Sequence, residues 1–244
     1  MSTMYTDSFT ISDLQTDRYG RLKPSAISWF VQEIAGRHCI QLGTDWDTLA
    51  AKGMFWAIIR HRVRIQRLPK KGEIIRIDTW PMPTTRVAYP RNVVAFDAEG
   101  KELFRTTSLW VLMDLHSRSM ILPGKSGVDV PGMLQGDELP TPASLAPVEL
   151  EKLTQRKVCF TDLDINGHMN NCRYLDWAWD LLPSHFHEQS DLQEFTLGYL
   201  SEAIEGQTLQ LHHQIQPDGH FRLEITHQEG EKIHRIFSAD LQYA

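Results

Sequence analysis

The chain has 244 residues, a net charge of −6, and charged and hydrophobic fractions of 23% and 41%, the balance of an ordinary soluble globular protein. That length allows one large domain or two of roughly 120 residues each, while the acidity argues against a general nucleic-acid binder. No apolar run approaches a membrane span, and Met1–Asp7 offers neither the basic start nor the apolar core of a secretory signal.

In chain order, the first strand is predicted at Tyr5–Ile11. Asp17–Pro24 then leads into a helix over Ser25–Ala35, with Ile27, Phe30, Val31 and Ile34 on one side and Pro24 suited to its first turn. Further strands are predicted at Phe55–Arg67, Glu73–Pro81, Thr85–Asp97 and Glu102–Asp114. Val128–Val148 carries four prolines and the Gly132, Gly136 pair, the composition of an inter-domain linker. Beyond it come strands near Leu153–Phe160, Glu194–Glu202, Thr208–Gln216, His220–Glu229 and Glu231–Leu241, with a mostly apolar helix at Cys172–Leu182. One helix with a run of antiparallel strands in each half argues an α+β fold.

The halves resemble each other. Asp17-x-x-Gly20-x-Leu22 and Asp164-x-x-Gly167-x-Met169 each precede a helix containing tryptophan. Glu99-Gly100 and Glu229-Gly230 each open a strand in which Arg and Ser recur at the same offsets, and Gly72–Trp80 is echoed by Gly206–His213. Matched blocks in the same order indicate an internal duplication. The predicted organisation is a first domain over 1–127, a linker over 128–148 and a second domain over 149–244.

The copies differ where chemistry would reside. Thr161–Asn171 places Asp164, Asn166 and His168 at every second position. An extended chain would set all three on one face, whereas Gly167 suggests a turn that gathers them. A carboxylate, an amide and an imidazole supply a base or nucleophile, a dipolar positioner and a proton carrier. The structural alternative is that Asp164 and Asn166 merely cap the following helix and satisfy a turn. The first copy has Tyr19 and Arg21 where the second has Asn166 and His168, so one working site per chain is expected.

The basic run Arg60, Arg62, Arg64, Arg67, Lys70 and Lys71 admits two readings: a solvated strand face with edge-protecting charge, or a docking patch for an acidic or phosphate-bearing partner. Three separated cysteines, Cys39, Cys159 and Cys172, lack any CxxC spacing and fit a reducing cytoplasm. Neither His185 and His187 nor His212 and His213 have a carboxylate at metal-site spacing, so no metal is expected.

Asp164-Ile165-Asn166-Gly167-His168-Met169-Asn170-Asn171, followed by Tyr174, resembles the Asp-x-Asn-x-His-x-Asn-Asn signature of the acyl-acyl-carrier-protein thioesterases of plants and bacteria. Thr79-Trp80-Pro81 and Trp110–Asp114 also look typical of that family, and the resemblance extends over most of the chain. It implies a tandem double hot-dog fold, two domains each with a long helix wrapped by an antiparallel sheet. It further implies hydrolysis of fatty acyl groups from the phosphopantetheine of acyl carrier protein, without cofactor, by a monomer of two such domains or a homodimer.

Leu197–Ala203 resembles the family segment with a Glu-Cys pair. Glu202 matches the glutamate, and Ala203 stands where plant members have cysteine, which favours an acid/base route over a thiol nucleophile. On this reading Asp164 is nucleophile or general base, His168 and Glu202 activate water, and Asn166 positions that network or donates to the oxyanion. The helix N-terminus after Asn171 is a further oxyanion donor. Trp29, Phe30, Met54, Trp56 and Ile58 are ordinary core types, some of which would line an acyl pocket. The basic run would serve carrier protein or coenzyme A. The competing readings are an acyl-CoA thioesterase and a non-catalytic acyl-binding protein of the same fold.

Overall fold

The computed structural model describes residues 3–189 and 192–244. The chain forms two compact units, Met1–Pro142 and Ala143–Ala244. The first contains β1 (Tyr5–Thr10), α1 (Pro24–Leu42), α2 (Trp46–Ala50), β2 (Met54–Ile65), β3 (Ile74–Pro81), β4 (Tyr89–Phe96), β5 (Glu102–Asp114), β6 (Met120–Ile121) and α3 (Pro123–Ser126). The second contains β7 (Lys152–Lys157), α4 (Asn171–Asp180), α5 (Ser184–Gln189), β8 (Leu192–Tyr199), β9 (Thr208–Ile215), β10 (His220–Glu229) and β11 (Lys232–Tyr243).

The duplication is present in the strand pairing. The first unit's strands run in the order β1-β3-β4-β5-β2, and the second unit's in the matching order β7-β9-β10-β11-β8, all antiparallel. In the first unit α1 lies against the sheet through Ile27, Phe30, Val31 and Ile34, each fully buried. At 19 residues it is longer than predicted, about 28 Å at the usual rise. It runs through Gly36 and stops only where Gly43 takes a left-handed φ of 64° and donates to the Cys39 and Ile40 carbonyls. In the second unit α4 has 10 residues. It buries Trp177 and sets Tyr174 face-on against Phe237, with ring centroids 4.8 Å apart.

Two strand ends differ from prediction for local reasons. β4 begins at Tyr89 rather than Thr85, because the Thr85 hydroxyl accepts the Ala88 N–H and its backbone N–H reaches back to the Ala88 carbonyl, which makes a turn. β8 ends at Tyr199, not Glu202: Leu200 and Ser201 both donate to the single Ile236 carbonyl, so the ladder breaks there. Residues 128–142 lie along the first unit as a strap. Val130 and Leu139 are buried, Thr107 donates to the Leu139 carbonyl, and Met133 donates to the Pro81 carbonyl.

Candidate active site

The polar loop between β7 and α4 is held at both ends by Asp162. This buried carboxylate accepts the Cys159 N–H at 3.0 Å and Arg173 Nε at 3.1 Å, while its carbonyl accepts the Asn170 N–H at 2.8 Å. Within the loop Asp164 donates its N–H to the His168 carbonyl at 2.8 Å, and Gly167 donates to the Asp164 carbonyl at 3.1 Å. Gly167 has φ of 76°, where a Cβ is strained. The stretch is therefore a tight turn and not an extended strand.

That turn fixes the Asp164 carboxylate. Its Oδ1 accepts the N–H of Asn166 at 2.8 Å and of His168 at 3.4 Å, and its Oδ2 accepts no hydrogen bond from the described residues. The turn reaches across to the loop after β8: Met169 donates to the Ala203 carbonyl and His168 bridges Ile204. Glu202 is thereby brought to His168, with 3.4 Å between Oε2 and Nε2. At 44% and 22% side-chain exposure, such a pair is solvent-screened and contributes little to stability. Its consequence is chemical: a carboxylate beside the imidazole orients the ring. Asn166 sits exposed on the turn.

Sequence reasoning quoted Tyr174 only within the signature, yet it belongs to the site. Its ring is buried and its hydroxyl lies by the Ala203 backbone amide. Burial raises its pKa far above the ordinary phenol value, opposed by that amide and reinforced by the charges of Glu202 and Asp164. It is thus a neutral hydroxyl within the field of both carboxylates. The start of α4, in contrast, has few amides to spare. Asn170 Oδ1 takes the Cys172 N–H at 2.9 Å and the Asn170 carbonyl takes that of Arg173.

The first unit repeats this turn bond for bond. Asp17 donates to the Arg21 carbonyl, Gly20 (φ 74°) donates to Asp17, and Leu22 donates to Pro69 as Met169 does to Ala203. Asp17 Oδ1 accepts the N–H of Tyr19 and of Arg21. There the likeness ends. Asp17 Oδ2 is taken by Arg21, with Nε at 3.1 Å and Nη2 at 3.0 Å. Leu68, one residue before Pro69, stands where Glu202 precedes Ala203.

The remaining predicted residues divide. Arg60, Arg62 and Arg64 share one face of β2, opposite the buried His61, Val63 and Ile65. Arg67 makes a two-point pair with Glu73 at 2.8 and 2.9 Å, Lys71 is paired with Asp13 at 2.8 Å, and Lys70 is exposed. A cavity of about 460 Å³ opens in the first unit, with Trp46, Trp56, Tyr89, Arg91 and Trp110 in its wall. Of the five pocket residues predicted, Trp56 lines it. Phe30, Met54 and Ile58 are buried outside its wall, Met54 in the core cluster that holds Tyr89 and Val130, and Trp29 is 42% exposed.

Among the described residues no cluster of three or more His, Cys, Asp or Glu is placed to hold a metal ion. Nor is any described helix long and apolar enough to cross a membrane.

Residues 2–122 match the family model of the acyl-ACP (acyl carrier protein) thioesterase N-terminal domain, and residues 146–239 that of the C-terminal domain. The chain belongs to the acyl-ACP thioesterase family. A chloroplast palmitoyl-acyl carrier protein thioesterase of Gossypium hirsutum is 29% identical over 195 residues, covering 74% of this chain and 47% of that protein. An oleoyl-acyl carrier protein thioesterase of Arabidopsis thaliana is 22% identical over 223 residues, 81% of this chain and 60% of that one. The chain therefore spans about half the length of the plant relatives it matches.

Among solved structures, an acyl-ACP thioesterase of Bacteroides thetaiotaomicron superposes over 100% of both chains with a TM-score of 0.89 at 22% identity. The 12:0-ACP thioesterase of Umbellularia californica covers 100% of this chain and 98% of that one, with a TM-score of 0.81 at 19% identity. The fold is the α+β hot-dog, present twice.

Proposed function

We propose that the protein is a thioester hydrolase acting on fatty acyl groups carried by acyl carrier protein, releasing free fatty acid. The observation that carries this reading is the contrast between two copies of one turn. At Asp164 a carboxylate oxygen is uncommitted and a His168–Glu202 pair stands beside the turn. At Asp17 the same oxygen is closed by Arg21. On this reading the C-terminal domain, 149–244, is the catalytic copy and the N-terminal domain, 1–127, the non-catalytic one, with 128–148 as the linker between them.

Two routes use these groups. In one, His168 takes a proton from water as the water oxygen bonds to the thioester carbonyl carbon. Glu202 stabilises the imidazolium, and the proton passes to the sulfur as the C–S bond breaks. In the other, Asp164 Oδ2 attacks the carbonyl and expels the sulfur as a thiolate, which takes a proton from water; water then hydrolyses the resulting anhydride at its aspartyl carbonyl. Single turnover in oxygen-18 water separates them, since only the second leaves label in Asp164. The face shared by Arg60, Arg62 and Arg64, half-buried at the first two and exposed at the third, supports an acidic carrier as partner, as do the names of the plant relatives. The acyl-pocket assignment attaches to Trp56. Three free cysteines suit a cytoplasmic setting.

The experiment is hydrolysis of acyl-carrier-protein and acyl-CoA thioesters of varied chain length. The expected result is release by wild type, a fall in kcat of about 10²–10⁴-fold in Asp164→Asn and in Glu202→Gln, and near-wild-type turnover in Asp17→Asn. No release from any thioester overturns the reading. A loss in Asp17→Asn equal to that in Asp164→Asn overturns the assignment of one live copy.

A further inference from the structure

The two turns also differ in how they are anchored, through residues outside those assigned to the chemistry. In the second unit Asp162 accepts the Cys159 N–H on Oδ2 and Arg173 Nε on Oδ1, and Arg173 Nη1 reaches on to Asp176 Oδ2 at 2.9 Å. The Asp162 side chain is 6% exposed, against 37% for Arg173. In the first unit Gln15 holds the place of Asp162. Its Oε1 accepts the Ser12 N–H at 2.9 Å, and its carbonyl accepts the Lys23 N–H as the Asp162 carbonyl accepts that of Asn170. Ala26 holds the place of Arg173: the one donates its N–H to the Lys23 carbonyl, the other to that of Asn170. The same loop is therefore closed by a neutral side chain in one copy and by three linked charges in the other.

Fold stability does not account for the charges, since Gln15 and Ala26 close the loop without them. Burying a carboxylate costs hydration that one ion pair rarely more than returns. Arg173 is also the third residue of α4, where a cation opposes the helix dipole. What the guanidinium adds is direction. It is planar with fixed donors, so Nε and Nη1 together hold Asp162 at a set angle to the helix that carries Asp176. Asp162 stands two residues before Asp164, and Asn170, bonded to the Asp162 carbonyl, two after His168. Both reacting groups thus hang between points that the pair fixes on α4, while Glu202 comes from another loop. We propose that Asp162 and Arg173 are positioning residues, holding loop 163–170 on α4 so that Asp164 and His168 meet Glu202 in the geometry turnover requires. This role rests on the hydrolase reading, and in it neither residue touches the thioester.

The test installs the first unit's own anchor in the second. Asp162→Gln with Arg173→Ala removes both charges together, so no buried carboxylate is left without its counter-charge. Wild type and variant are compared on dodecanoyl- and hexadecanoyl-acyl-carrier-protein thioesters. The expected result is a kcat lower by about tenfold to a hundredfold, the effect of a displacement of about 1 Å at reacting groups. KM should stay within about twofold and the melting temperature close to that of wild type. An unchanged kcat, or a fall matched by a loss of folded protein, overturns the proposal. Should the double variant fail to fold, Arg173→Lys decides. It keeps the counter-charge, but a single ammonium cannot span Asp162 and Asp176 as Nε and Nη1 do. Its kcat should fall at least about threefold at unchanged KM, and a wild-type kcat refutes the positioning role.

Amide hydrogen exchange reads the same loop without turnover. Exchange at 163–170 should rise at least about tenfold in the double variant relative to 16–23 of the same molecule, whose Gln15 anchor is untouched. An unchanged ratio between the two loops refutes the claim that the charges fix one of them. Release by wild type, with kcat and exchange both unaltered in the variant, removes the positioning role alone and leaves the hydrolase reading intact. No release by wild type removes the hydrolase reading and, with it, any role of the pair in turnover, whatever the exchange ratio.

Discussion

His61 makes the native state sensitive to acid in a way that can be calculated. It lies on β2 between Arg60 and Arg62 but points to the opposite, buried face, fully enclosed, with the Ser28 hydroxyl 3.4 Å from Nδ1. Burial drives its pKa from 6.5 down to about 3, because the imidazolium cannot be hydrated there. The unfolded chain binds a proton below pH 6.5 that the native state refuses, so stability is intact above that pH. It erodes as pH falls and levels off only near pH 3. At about 1.4 kcal/mol per pH unit, the loss between pH 7 and pH 5 is about 2 kcal/mol once the partial titration near 6.5 is included. His61→Leu removes the group. Urea unfolding of wild type and variant at pH 7, 6 and 5 should show the gap between them shift by about 2 kcal/mol in the variant's favour toward acid. Parallel pH profiles for the two proteins would refute the argument, whatever their absolute stabilities.

Two further outcomes are expected. Tyr174→Phe keeps the stack on Phe237 and deletes the hydroxyl between Ala203, Glu202 and Asp164. It should lower kcat by up to about tenfold, the net value of one neutral hydrogen bond, with the melting temperature nearly unchanged by circular dichroism. Gly132→Ala places a Cβ 2.5 Å from the Met82 backbone. Since backbone cannot yield as a flexible side chain does, the strap should lift and stability fall by about 1–3 kcal/mol in thermal unfolding.

The strand positions and the doubled loop were readable because period-two patterns, glycine turns and matched blocks are local signals. What escaped was built by contacts distant in sequence. Every residue of β4 from Tyr89 to Ala95 is buried, so both faces are covered and no alternation marks Arg91 as unusual. The cavity beside it draws its wall from α1, α2, four strands and the strap, which no window of sequence contains. Helix α2 did announce itself, with Asp45 accepting the Thr48 N–H at its N-cap. At five residues it lacks the periodicity that the reading of α1 relied on. Glu202 was identified by type but set on a strand, because the two donors sharing the Ile236 carbonyl leave no trace in composition.

On the proposed reading, the paired turns explain how one chain keeps a fold twice and a reaction once. The aspartate at the head of each turn holds it closed through backbone N–H groups, using Oδ1 in both copies. That is a structural duty, and it accounts for the aspartate being common to both. The second oxygen carries no such duty, so what faces it is free to differ. Arg21 there makes a charge pair and a rigid loop; His168, with Glu202 from the next loop, leaves the carboxylate open and adds a proton carrier. Restoring chemistry to the first copy would therefore need more than Arg21→His. Leu68 must also become acidic, because an imidazole without its carboxylate lacks the partner that orients it.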